Sequence, residues 1–237
     1  MLGQLKTEEK SNEITAVPEL LEALMIKGCI ITADAMSCQK EIAAKVIAKE
    51  GDYVIAVKGN QPGLQEQITD FFEYAHKNAF HRVEHGYYET LEKDHGRIET
   101  RRHWAVSDLS WMDGKEEWAG LRMIGMVEST REIGDNISVE RRYYIGSIAA
   151  DAKHFAQAVR QHWGIENQLH WSLDVSFGED KSRVRVGNAA ENLSILRRIV
   201  LNLVRQEKTC KLGVKNKRLC AGWDDDYRAK LLNLRMI

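Results

Sequence analysis

Between Pro18 and Val57 the sequence switches from helical to extended texture twice in quick succession, and that alternation restricts the fold more than any other feature. Pro18 opens a helical pattern with Leu20, Leu21 and Leu24 on one side and Gly28 beyond its end. Cys29-Ile30-Ile31-Thr32-Ala33 then reads as a short buried strand. Gln39 to Glu50 is a second helix, with Ile42, Ala43, Val46 and Ile47 as its apolar face and Gly51 as its stop signal. Tyr53 to Val57 is another β-rich run. Helix, strand, helix, strand implies a parallel sheet covered by helices, and in such sheets sites form at the carboxyl ends of strands. Asp34 and the string Lys58-Gly59-Asn60-Gln61 both stand at such ends.

Farther on, residues 60–93 are polar, with a helical pattern around Leu64 to Tyr74. From His95 to Ser147 the texture is β. Ile98, Thr100, Trp104 and Val106 alternate with Arg97, Glu99, Arg101 and His103, and Gly134-Asp135-Asn136 marks a hairpin between two further runs. This predicts an antiparallel insertion, at about residues 60–147, in an α/β body. Asp151 starts a helical stretch through about Trp171. Asn188 with Glu191 reads as a capping box for an amphipathic helix that turns Leu193, Leu196, Val200, Leu203 and Val204 inward. The expected domain spans residues 1–208, followed by a basic, then acidic tail over 209–237.

The net charge of the 237-residue chain is −1, but it is unevenly spread. Residues 181–218 hold eleven Lys or Arg and two Glu, a net +9 that leaves −10 on the remainder. That segment is either an electrostatic footprint for a polyanion or a solvated basic face. No apolar run of membrane-spanning length and no secretory h-region occur, and the four cysteines form no C-x-x-C pair. A reduced, cytoplasmic protein without a membrane partner is expected.

Three groups of residues could carry chemistry. Asp34 is either a helix cap or a strand-end carboxylate. His162, Glu166, His170 and Asp174 recur every fourth residue and would share one helix face. They form a zinc-type stripe, a single Glu166 ligand with positioning neighbours, or a polar seam beside Trp163, Leu169 and Trp171. Lys58, Asn60, Arg97, Arg101, Arg102, His162, Lys181, Arg183 and Arg185 are candidates for gripping phosphates.

Several ordered strings resemble the DDE transposases of bacterial insertion sequences, and H-repeat-associated proteins in particular. They are Glu9-Lys10-Ser11-Asn12-Glu13-Ile14, Asp34-Ala35-Met36, KGNQ at 58–61, HGRIETRRHW at 95–104, and HWGIEN followed by LHWSLDVSFGED. The resemblance implies an α/β, ribonuclease-H-like fold: a mixed sheet with flanking helices and a β-rich insertion, here lacking the first strands. It implies that Asp34 and Glu166, 132 positions apart, are catalytic metal ligands, the second and third carboxylates of a triad that binds Mg²⁺ or Mn²⁺. Against the family pattern Val159, His162 and Leu173 stand where Tyr, Arg and Lys recur, with Lys181 or Arg183 as substitutes for the lysine. The first Asp of the triad has no counterpart, so weak metal binding and little activity alone are expected. Implied partners are transposon ends and target DNA, with a homo-oligomer or a full-length transposase. The alternatives are a non-catalytic DNA-binding or inhibitory fragment and, last, a zinc hydrolase using His162, Glu166 and His170.

Overall fold

The computed structural model describes residues 13–94 and 96–232, apart from the side chains of Glu13, Asp94, Glu166, Asn167 and Gln168. Part of the Glu9–Ile14 string, His95 and the Glu166 carboxylate therefore lie outside the described residues. The described residues divide into two bodies, 13–162 and 163–232.

The larger body is built on one six-stranded mixed sheet. Its strands are β1 (Ile30–Ala33), β2 (Asp52–Val57), β3 (Gly86–Asp94), β4 (Arg97–Val106), β5 (Met123–Ile133) and β6 (Asn136–Gly146), in the order β1-β2-β6-β5-β4-β3. Among the described residues only β1 and β2 run parallel, Ile30 beside Asp52, joined through helix α2 (Lys40–Ala48) as a parallel pair requires. The inserted hairpins are not a separate layer: β6 pairs antiparallel with β2, Val57 beside Tyr143, and carries the sheet outward through β5, β4 and β3.

One face is covered by α1 (Glu13–Ala23), α2 and α3 (Pro62–Lys77). Their Leu21, Ile42, Val46, Ile68 and Phe72 close on Tyr53, Ile55, Trp104, Met126 and Ile145. On the other face α4 (Ala152–Gly164) presses Phe155 between Tyr144, 5.3 Å away, and His103, 6.1 Å away. Gly125 makes the notch for that ring, since a Cβ there would come within 2.6 Å of it.

Several sequence expectations shift by a turn. Pro18 lies inside α1 instead of opening it. The left-handed residue after α2 is Glu50, at φ 58°, not Gly51. Gly51 is needed because a Cβ would meet the Ile26 carbonyl at 3.1 Å and Val46 at 3.3 Å. The strand β3 falls in the stretch read as polar.

The smaller body is helical. A π-helical turn (Ile165–His170) leads into α5 (Trp171–Phe177), followed by α6 (Ala189–Gln206), α7 (Val214–Trp223) and α8 (Asp225–Leu231). The capping box is not formed, because Asn188 has φ −86° and ψ 7° and makes no side-chain cap bond. The expected inward face of α6 holds in part: Val204 is buried and Leu193, Val200 and Leu203 are half-buried. Leu196 is instead 56% exposed, and Leu201, outside the expected face, is buried. Among the described residues no helix is long and apolar enough to cross a membrane.

Candidate functional site

Asp34 directly follows β1 and is both things the sequence allowed. Its Oδ1 accepts from the Met36 amide at 3.1 Å and so caps the 3-10 turn Ala35–Ser37. The residue stays exposed at the strand end. Two amides from the Lys58–Gln61 string hold the loop that carries it: Asn60 Nδ2 donates to the Ala35 carbonyl at 2.5 Å, and Gln61 Nε2 to the Cys38 carbonyl at 2.9 Å. Asn60 is thereby committed to backbone, while Lys58 is exposed at the end of β2. His162, near the end of α4, sets Nδ1 at 3.2 Å from the Thr32 hydroxyl, two residues before Asp34. Beneath the loop Cys38 is fully buried, and burial pushes its thiol up to about 12, which keeps it an inert protonated packing group.

The arginines of β4 fall on opposite faces of the sheet. Arg102 lies on the α3 side, in a row of charges that crosses all four outer strands. It binds Glu89 at 2.9 Å and Glu128 at 3.2 Å, and Arg141 binds Glu128 at 2.9 Å. Arg97 and Arg101 lie on the α4 side. Arg101 reaches Glu99 at 2.7 Å and Glu92 at 3.0 Å, and Arg97 reaches Glu99 at 3.6 Å. Two residues absent from the sequence reading complete this second network, Arg131 of β5 at 3.5 Å from Glu99 and Arg160 of α4 at 2.9 Å from Glu92. Burial alone would raise the Glu92 carboxyl, yet the hydrogen bond and charge of Arg101, with Arg160 and Arg97 nearby, bring it below its ordinary value. Had residues 86–94 been read as a strand, period two would have put Glu92 across from Glu99 and exposed the cluster.

In the smaller body a π-helical turn over Ile165–His170, bonded five residues apart, interrupts the α-helical stretch that carries the fourfold spacing. Lys181, Arg183 and Arg185 are exposed beyond α5, with the Arg185 guanidinium turned onto the Ser182 carbonyl at 3.0 Å. A polar knot holds the last helices. Buried Lys217 meets the Glu207 carboxylate at 3.1 Å, and that carboxylate also accepts from the Thr209 amide at 2.6 Å and the Tyr227 hydroxyl at 3.2 Å. The Thr209 hydroxyl first, then Lys217 and the amides of Thr209 and Cys210, hold Glu207 down at about 2.

Asp34 offers a hard oxygen donor, of the kind that suits Mg²⁺ or Mn²⁺, at an exposed strand end. Among the described residues no group of three His, Cys, Asp or Glu side chains gathers where it could hold an ion. The fit therefore rests on Asp34.

A family model described as Transposase DDE domain matches residues 1–203. The chain is 48% identical over 223 residues to "Putative transposase YncI" of Escherichia coli O157:H7, covering 92% of this chain and 56% of that protein. It is 44% identical over 238 residues to "H repeat-associated putative transposase YhhI" of Escherichia coli strain K12, covering 98% of this chain and 62% of that protein. The same identity and coverage hold for "Putative protein YbfL" of that strain. The chain thus spans about three fifths of the length of these relatives.

Proposed function

The chain belongs to the DDE transposase family, and from that premise we propose that it carries carboxylates and phosphate-gripping residues of a transposase acting on the ends of an insertion sequence. The sheet is read as ribonuclease-H-like, with Asp34 at the end of its first described strand and Glu166 on the later helical segment as metal ligands. The observation that carries this reading is the placement of Asp34. It is an exposed carboxylate at the carboxyl end of a parallel strand pair, on a loop fixed by Asn60 and Gln61.

The family uses divalent metal ions, which activate an attacking oxygen and stabilise a leaving one in phosphoryl transfer. This chain's own residues contribute orientation. Asn60 and Gln61 lock the backbone around Asp34, so its free oxygen need not be ordered when an ion arrives. His162, anchored to the Thr32 hydroxyl two residues before Asp34, presents an imidazole beside that strand and suits a DNA phosphate. The partners proposed are transposon-end and target DNA, with a second copy or a longer transposase in the same complex, in the cytoplasm.

Mn²⁺ binding tests the assignment. Asp34→Asn and Glu166→Gln should each weaken it at least about tenfold, the scale on which loss of a metal-site group acts. Any Mg²⁺-dependent strand cleavage of transposon-end DNA should vanish in both. Unchanged Mn²⁺ affinity in both variants overturns the ligand assignment.

A further inference from the structure

We infer that the α4-side face of the outer sheet, carrying Arg97, Arg101, Arg131 and Arg160, is a docking surface for the phosphate backbone of duplex DNA. The inference rests on DNA as the substrate and adds where the duplex lies.

Stoichiometry is the first argument. Three guanidiniums converge on the one carboxylate of Glu99, which is only 7% exposed, at 2.7, 3.5 and 3.6 Å. Arg101 and Arg160 share Glu92. Among the described side chains, four arginines thus lean on two glutamates. Each guanidinium has five N–H donors in a fixed fork, and two carboxylates cannot engage them all. The excess points outward: the side chains of Arg97, Arg131 and Arg160 are 43%, 49% and 54% exposed. Also on this face, Glu140 is matched by Arg142 at 2.8 Å, and Asp94 falls there by register, its side chain outside the described residues.

The opposite face supplies the contrast. There Glu89, Arg102, Glu128 and Arg141 alternate one to one across the strands, a closed charge row with no surplus. The two faces share the same strands, so the imbalance belongs to one side only.

Spacing is the third argument. Arg97 and Arg101 are four residues apart on β4, about 13 Å along a strand, with Arg131 on the neighbouring strand opposite Glu99 between them. Along the duplex axis the phosphates of one strand advance about 3.4 Å each, so a cluster of that length covers about four base-pair steps. Buried Glu99 acts as a fixed pivot. It orders the guanidiniums before contact, which lowers the entropy cost of gripping a phosphate.

The test is binding of a short fluorescent duplex to the full chain across a salt series. Arg97→Gln, Arg131→Gln and Arg160→Gln combined should weaken binding at least about tenfold and flatten the log–log salt slope by about 3, near 0.9 per lost contact. Arg131→Gln alone leaves Glu99 held by Arg101 and keeps the fold, and it should flatten the slope by about 1. Arg141→Gln, on the balanced face where Glu128 keeps Arg102, should bind as the parent does. Parent-like slopes in both Arg131→Gln and the triple variant, or an equal loss in Arg141→Gln, overturn this surface alone. A parent chain that binds no duplex at low salt overturns both the surface and the DNA reading.

Discussion

The two bodies of this chain are held together by different physics. In the larger, stability comes from apolar side chains locked between a sheet and helices on both faces; Tyr53, Ile55, Phe72, Phe155, Met123 and Ile145 are fully buried. In the smaller, Leu173 and Leu201 are the fully buried large side chains among the described residues. Polar knots do much of the remaining work there. Glu207 and Lys217 tie the last helices, and Glu179 receives Arg198 at 3.2 Å and the Ser194 hydroxyl at 3.0 Å. The smaller body also leaves Trp171, Leu196, Ile199 and Trp223 exposed. The difference teaches that the larger body resists conditions that leave apolar burial intact, whereas the smaller answers to charge.

The largest effect should come from Phe155→Ala. It empties the notch over Gly125 and should cost about 3–5 kcal/mol in denaturant unfolding. A loss below about 1 kcal/mol would mean that the α4 face collapses around the gap, and the contrast between the bodies would weaken. Next, Leu201→Ala should cost about 2–5 kcal/mol, with faster amide exchange confined to residues 163–232. Exchange spreading evenly into the sheet strands would erase the distinction.

Acid should separate the bodies without mutation. Glu207 is depressed to about 2, so its contribution is fully present above the ordinary carboxylate range and is lost as pH falls through about 2. Amides of α7 and α8 should lose protection over that window before those of β2 and β6 do, and Glu207→Gln should remove the acid step. Smallest of all, Leu196→Ser should change stability by no more than about 0.5 kcal/mol, because the side chain is largely in water. A large loss would restore the inward face that periodicity suggested.

What the sequence made legible follows the same division. The alternation from residue 18 to 57 located β1, α2, β2 and the strand end at Asp34, although β1 is half-buried and not the buried strand its apolar run suggested. β3 escaped notice because its residues beyond Tyr88 pair with the charged half of β4, where ion pairs replace apolar alternation. For α6 the phase was legible in part: Val204 is buried as periodicity implied, while Leu196 is exposed because few of the helix's apolar residues are covered. The spacing of His162, Glu166, His170 and Asp174 presumed a regular α-helix, and no propensity signalled the π turn within it. Asn60 reads as a candidate phosphate contact, and its side-chain amide, like that of Gln61, also satisfies a backbone carbonyl of the loop after β1. A side chain's partner is a tertiary fact that spacing does not carry.

The pairing of β2 with β6 has a consequence in time. Val57 lies beside Tyr143, 86 positions later in the chain. At about 5–20 residues per second, a ribosome needs about 4–17 s to deliver that partner. Meanwhile β2 has one edge against β1 and the other bare, and an unpaired apolar edge is where nascent chains join the wrong neighbour. Closing so long a loop also makes this contact a late event in folding. The sheet is therefore completed from its middle: the strand that joins its parallel pair to its hairpins is the last of the six to be made.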